Sequence, residues 1–535
     1  MIKSIFTKEW LKIRFYIYFL LISSLIVLAY FAFNLNFNFS TSEPESMMWY
    51  RFIQIEQKPY FYLVYFYLTV AIVLAFSQFL PEVIQKRIKL TLHQPLTISS
   101  IANLHLFFGV FVLSIFYTFF SISLLSITSH YYPKEITQVI FEDTFAYTFV
   151  SIVLYILLSS LIIEQNKKIQ ILKSIITALF LFTFIKEIYT YMDFLWFFAL
   201  ALSIFIFLDS FYSLKEQRLN KIYKFTFTSF LLVLLVLSFT TYKENYKKEF
   251  HRYYIFYSDI LDEFVYQKNF GKHNFEYGIK DKETFSQKQY QEYLPFVYWR
   301  DLEIQKKLPI KLKDEIYTKS RIKESKLGFE FKTKLLKEKQ VSLYPLLNPK
   351  TVEGVIKFPE EFFGIFKDGA RIYVHDGEVS KNETQALNTK LKELNFSYPA
   401  KNIWGKTTNL KSFDLGYLIK DSKNRLFNLR KQNDIITIKE ILYPENIDIS
   451  YINISENKQQ KLSGYAIDEN SNFYLLTWDF DFIKLDLKNF DYKTMRLKLI
   501  ADPLHYLIRY DDEETYYASI FSKKDLKKIK EEKWD

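Results

Sequence analysis

Seven long apolar runs constrain this chain more than any other feature: residues 15–32, 61–80, 104–128, 144–163, 169–185, 194–212 and 225–241. About 20 apolar residues in a helix cross about 30 Å of hydrocarbon, so each run is expected to span a bilayer. Basic residues in the short connections set the direction. With the N-terminus inside, the inner connections carry Lys3, Lys8, Lys12, Arg14, Lys86, Arg87, Lys89, Lys167, Lys168, Lys215, Arg218, Lys221 and Lys224, and the outer ones only Arg51, Lys58, Lys134 and Lys186. The asymmetry predicts a cytoplasmic N-terminus and, after an odd number of spans, a C-terminal half outside the cytoplasm. Lys243, Lys247 and Lys248, just after the last run, weigh mildly the other way.

Two connecting segments have a pattern of their own. Residues 1–14 gather Ile2, Ile5, Phe6, Trp10 and Ile13 on one side of a helix, with most lysines elsewhere, as in an interfacial helix. Glu9 falls inside that apolar stripe and needs a partner, either Lys86 or Arg87, or its neighbours Lys8 and Lys12. Between the second and third runs, Ile84, Ile88 and Leu92 recur at helical spacing, with Lys86 and Lys89 off that side. Pro95 is expected to close this short amphipathic helix. Within the third run, Ser114, Thr118 and Ser121, with Tyr117 nearby, are candidates for a pore-facing stripe or for helix packing through small and hydroxyl residues. Lys173, Asp209 and His105 sit near inner ends, where they can snorkel or pair.

Residues 82–97 resemble the coupling helix of ABC-2 type permeases, the membrane subunits of one class of ABC transporter. Glu82, Lys86, Arg87, Thr91, Leu92, Pro95 and Thr97 stand where that family has an acidic–basic helix, Thr-Leu and a Pro/Thr turn, with Lys89 adding to the basic cluster. The glycine usual in that motif is replaced by Ile88-Lys89. Lys8, Glu9 and Trp10 sit where the family has its N-terminal elbow helix. The resemblance covers roughly residues 1–212 and implies a six-helix core, so that the seventh run is one extra span of an α-helical membrane domain (15–242). It implies an elbow at 1–14, and a coupling helix at 82–97 docked on a separate ATPase subunit. A second permease copy or a related chain completes the path. The chain itself is then a transport subunit in the inner membrane and not an enzyme.

After residue 242 the composition turns to Lys, Glu, Asp, Asn and Tyr. Residues 243–300 are expected to form a helical stalk, and 301–535 a soluble, mainly-β, extracytoplasmic domain. Gly416 to Phe427 (GYLIKDSKNRLF) is similar to Gly464 to Leu475 (GYAIDENSNFYL), with a weaker copy from His505 to Tyr517. Each reads as strand, polar turn, strand. The spacing suits either propeller-like repetition or ordinary hairpins. Tyr344-Pro345, Phe358-Pro359, Tyr398-Pro399 and Lys411–Tyr417 resemble an uncharacterised domain found at the C-terminus of some ABC-2-like permeases.

The remaining chemistry is read by exclusion. Without cysteine there is no disulfide or thiol site. No GxxxxGK[ST] loop, GxSxG elbow or HExxH motif occurs, and the seven histidines lack ligand spacing, so no cofactor, metal or catalytic residue is expected. The net charge of +11 gathers around the spans, which favours lipid headgroups over nucleic acid. An alternative keeps the anchor and drops transport: an extracytoplasmic scaffold that holds a partner protein.

Overall fold

The computed structural model describes residues 2–93, 95–186, 193–215, 221–246, 250–312, 314–374, 377–444 and 447–535; Arg218, Lys247 and Lys248 lie outside them. The chain divides into two compact units, with Met1–Lys247 in the first and Lys248–Val374 with Val379–Asp535 in the second.

The first unit is helical: α1 (Ile2–Ser40), α2 (Met47–Gln54), α3 (Leu63–Ile84), α4 (Arg87–Thr91), α5 (Ile98–Thr128), α6 (Lys134–Ile163), α7 (Lys167–Lys186), α8 (Asp193–Ser213) and α9 (Lys221–Tyr246). All seven apolar runs fall on helices. Among the described residues five stretches are long and apolar enough to cross a membrane: Lys3–Ser40, Leu63–Ile84, Ile98–Thr128, Lys134–Ile163 and Lys224–Lys243. The run in α7 carries Lys173, and α8 contributes a shorter apolar stretch, Phe197–Ser213.

Beyond Asp143, helix α6 carries no charged residue, and it is the most enclosed of the spans, packed against α3, α5, α7 and α8. The expected elbow is not set off from the first span. No glycine or proline interrupts residues 2–40, so the helix runs straight through the predicted boundary at 14.

The second unit is mainly β and begins earlier than expected. The middle of the predicted stalk is instead sheet 1, with strands Tyr253–Ser258, Glu263–Asn269, Phe275–Gly278 and Thr284–Phe285, followed by the short helix Gln287–Glu292. Its aromatic-rich, β-prone sequence is strand material, and Ile255, Tyr257 and Phe264 are buried against Leu507, Ala518 and Trp534. Sheet 2 joins Tyr344–Pro345, Phe362–Phe366 and Gly369–Tyr373. Sheet 3 is an antiparallel meander of Asn402–Gly405, Tyr417–Lys420, Leu426–Gln432 and Ile435–Ile441. Sheet 4 repeats it with Ile449–Ile454, Leu462–Asp468, Phe473–Thr477 and Phe482–Leu485. Sheet 5 repeats it again with Arg496–Ala501, His505–Asp511, Tyr516–Ser522 and Lys528–Trp534, and gains Leu327–Phe331 at one edge.

The sequence repeat therefore marks the two inner strands of three successive four-stranded meanders. These strands are covered on both faces. Tyr417 and Ile419 enter the core shared with sheet 2, while Leu418 enters the core shared with sheet 4. Tyr506, Ile508 and Tyr510 face sheet 4, while Leu507 faces sheet 1. Alternate residues of one strand thus serve two cores.

The repeated polar turns have one cause. Asp421 Oδ1 accepts hydrogen bonds from the backbone N–H of Lys423 and Arg425, at 2.9 and 2.8 Å. Asp468 Oδ1 accepts from Asn470 and Asn472 at 2.9 and 2.8 Å. The repeated glycines also share one. Gly416 and Gly464 have φ of +72° and +147°, and a Cβ on them would lie 2.1 Å from Leu429 O and 1.8 Å from Asn453 O. Gly464→Ala is expected to lower stability by about 1–3 kcal/mol, through positive-φ strain and displacement of the neighbouring strand. Denaturant unfolding of the full chain checks this; an unchanged midpoint would show that the strand spacing is looser than described.

Candidate functional site

The first site lies where α1, α3 and α5 meet. The i, i+4 spacing of Lys8 and Lys12 puts both on one face of α1. Lys8 Nζ lies 3.0 Å and Lys12 Nζ 3.4 Å from the carboxylate of Glu82, at the end of α3. Lys12 also lies 2.6 Å from Glu9, and Glu9 lies 3.0 Å from His105 Nδ1 on α5. Gln78 ties in the neighbours: its amide donates to His105 O at 3.0 Å, and it accepts from the Tyr155 hydroxyl of α6 at 2.6 Å. Glu9 and Glu82 are buried. Glu9 thus sits in the apolar stripe because the stripe faces α5. Its described partners are Lys12 and His105, not Lys86 or Arg87.

From this cluster the chain runs directly into the basic segment. Helix α3 ends at Ile84, and Lys86 takes a left-handed conformation (φ 53°) that turns the backbone into the five-residue α4. Lys86, Arg87 and Lys89 are exposed, while Ile88, Thr91 and Leu92 are buried. Ile84, expected on the apolar side with Ile88 and Leu92, is 70% exposed because the left-handed turn breaks the helical register. Glu82 belongs to the buried cluster rather than to the exposed basic surface. Pro95 is exposed and follows the end of α4. Thr97 caps α5, its side chain accepting from the backbone N–H of Ser100 at 3.2 Å. Trp10 is 39% exposed, edge-on to Tyr18.

Elsewhere in this unit other buried ionisable groups also pair. Lys173 is buried 2.9 Å from Glu164 and donates to Ser210 Oγ at 2.6 Å, with Asp209 at 4.0 Å. Asp143 holds Lys58 at 2.8 Å and accepts from the Tyr60 hydroxyl. The candidate stripe on α5 is divided. The Tyr117 hydroxyl donates to Tyr67 O and Ser121 Oγ meets the Tyr67 hydroxyl, both at 2.7 Å, so these two join α5 to α3. Ser114 donates to its own helix and Thr118 is exposed.

The second unit holds groupings that sequence reasoning missed, because their members are far apart in the chain. His505 Nδ1 lies 3.2 Å from Asp259 and 3.8 Å from Asp502, and the three residues bring ligand atoms within 4.8 Å of one another. Asp502 Oδ1 also accepts the backbone N–H groups of Leu504 and His505, both at 2.7 Å. A cavity of about 340 Å³ opens beside Asp502, lined by Tyr257, Phe296, Leu327 and Leu507 among others. Lys411, Asp414 and Glu456 form a fully buried trio, with Lys411 Nζ 2.7 Å from each carboxylate. The only hint in the sequence was the Lys411–Tyr417 motif, which does not contain Glu456.

The class defined by these features is a membrane-associated helical unit followed by a mainly-β domain. A family model described as a domain of unknown function (DUF4857) matches residues 254–520, just under half of the chain and all within the β unit. No curated protein and no solved structure matches the chain.

Proposed function

We propose that this chain is the membrane-spanning permease subunit of an ABC transporter. ATP hydrolysis by a separate subunit would drive export or motion of the β unit. The observation that carries the proposal is the ion-pair cluster joining α1, α3 and α5 through Lys8, Glu9, Lys12, Glu82 and His105. A basic segment exposed to a partner follows Glu82 within four residues. A push on Lys86, Arg87 or Lys89 would reach the end of α3 through a turn of a few residues, and the buried Glu82 would pass it through Lys8 and Lys12 to α1, whose Glu9 meets α5. In this reading the N-terminus and the basic segment face the cytoplasm and the β unit lies outside.

Charge reversal of Lys86, Arg87 and Lys89 together is expected to abolish co-purification of an ATPase subunit while leaving folding intact, since all three side chains are exposed. Full retention of the complex sinks the proposal. So does labelling of Lys86 or Lys89 by an impermeant reagent added outside.

The β unit supports a second reading, an anchored scaffold for a partner protein. Among the described residues, five of the six sheets share four successive cores, which also favours a propeller-like array, as four of the five contain a four-stranded meander. An experimental structure without a common sheet axis would refute that arrangement.

A further inference from the structure

Buried lysines in the β unit are matched by carboxylates almost everywhere. Lys411 meets Asp414 and Glu456, Lys420 meets Asp448, and Lys431 meets Glu361 and Glu383. One cleft of about 930 Å³ instead gathers cations that are half-buried or exposed. Its wall includes Arg321, Lys323, Lys326, Lys461, Lys523 and Lys524, against Glu315 and Glu324. Glu315 is taken up by Arg321 at 2.5 Å. Lys523, set well into the wall, donates to the backbone carbonyl of Ser325 at 2.9 Å and lies over the Tyr506 ring. Burial, with the nearby Lys461 charge adding to it and Asp502 opposing, brings the Lys523 ammonium down to about 8. Burial and Arg300 likewise lower Lys326, which stacks on Trp299. Cations gathered in a concave, partly desolvated site repel one another until an anion enters. Ammonium groups act as point charges and suit the tetrahedral, multiply charged phosphate group. The cleft is far larger than a phosphate ion, which leaves room for the group that carries it.

We propose that this cleft binds a phosphate-bearing ligand, either the headgroup of an anionic lipid or a soluble phosphorylated molecule, with Lys461, Lys523 and Lys524 contacting the phosphate. The proposal is independent of the permease reading, because every residue it uses lies in the β unit.

The test is lysine footprinting of the full chain by brief reductive methylation, read by peptide mass spectrometry. In uncharged detergent at constant ionic strength, inorganic pyrophosphate is expected to protect Lys461, Lys523 and Lys524. Lys268 and Lys498, which lie outside the cleft wall, stay reactive. Protection without pyrophosphate in phosphatidylglycerol nanodiscs, absent in phosphatidylcholine nanodiscs, assigns the lipid headgroup. Protection by pyrophosphate alone assigns the soluble ligand. Unchanged labelling of the three lysines under every condition overturns the site. The exposed pair Lys461→Gln with Lys524→Gln is expected to weaken protection of Lys523 by pyrophosphate about a hundredfold, the scale of two lost charged hydrogen bonds; an unchanged concentration dependence also overturns it.

Discussion

Lys411→Met is expected to destabilise the β unit by about 3–5 kcal/mol, because it strands two carboxylates that have almost no access to water. The side chains of Lys411 and Glu456 are completely buried and that of Asp414 is 2% exposed. Burial pushes Glu456 up to about 7, with Lys411 opposing through its charge and hydrogen bond. Removing the ammonium leaves burial and the Asp414 charge opposed only by the Leu415 backbone hydrogen bond, and raises Glu456 further. A carboxyl whose folded value lies above its unfolded value of 4.5 binds more protons when folded, so stability falls as pH rises from there through the folded value. The deficit of the variant is thus expected to be smaller at pH 5 than at pH 8. Adding Glu456→Gln and Asp414→Asn should recover much of the loss. Denaturant unfolding of the full chain at the two pH values measures all three effects. A deficit below about 1 kcal/mol would contradict the buried trio, since that is the range of exposed pairs.

Lys12→Met is the corresponding change in the helical unit. Glu9 would keep only His105 and Glu82 only Lys8, whose side chain is 37% exposed. A loss of about 3 kcal/mol is expected, at the low end for a broken buried pair because each carboxylate retains one partner. That corresponds to a fall in Tm on the order of 6–12 °C. Thermal unfolding in detergent measures it, and adding Glu9→Gln should restore part of the fall. If the cluster transmits force as proposed, the variant that still folds will bind its ATPase partner but lose the coupling of ATP hydrolysis to function. An unaltered Tm would mean that Lys12 reaches solvent and does not hold the helices together.

Much of this molecule was readable along the chain. The seven apolar runs fall on helices because in a long apolar run only a helix pairs every backbone group within the run itself. The repeat at Gly416 and Gly464 fell on matching hairpins because their turns and glycines are local requirements, settled by the Asp side chain and the sign of φ. The stretch after residue 250 was misread as a stalk. Its Tyr-rich strands are recognisable only with the sheet 5 residues that cover them, about 250 positions later. Residues 2–14 are helical as the periodicity implies but run on into the first span, because amphipathic periodicity says which way residues face, not where a helix without breakers will stop.

Sequence by itself thus determined the helical and β halves, the basic segment at Lys86–Lys89 and the repeated meanders, since each depends on neighbours a few residues apart. Only the tertiary structure decided that Glu9 pairs with Lys12 and His105, that Glu82 is withdrawn from the surface, and that Glu456 completes a trio with Lys411. It also decided that one cleft is left with an excess of cations. Charges act through space, and the low-dielectric interior that strengthens them exists only once distant segments have closed around them.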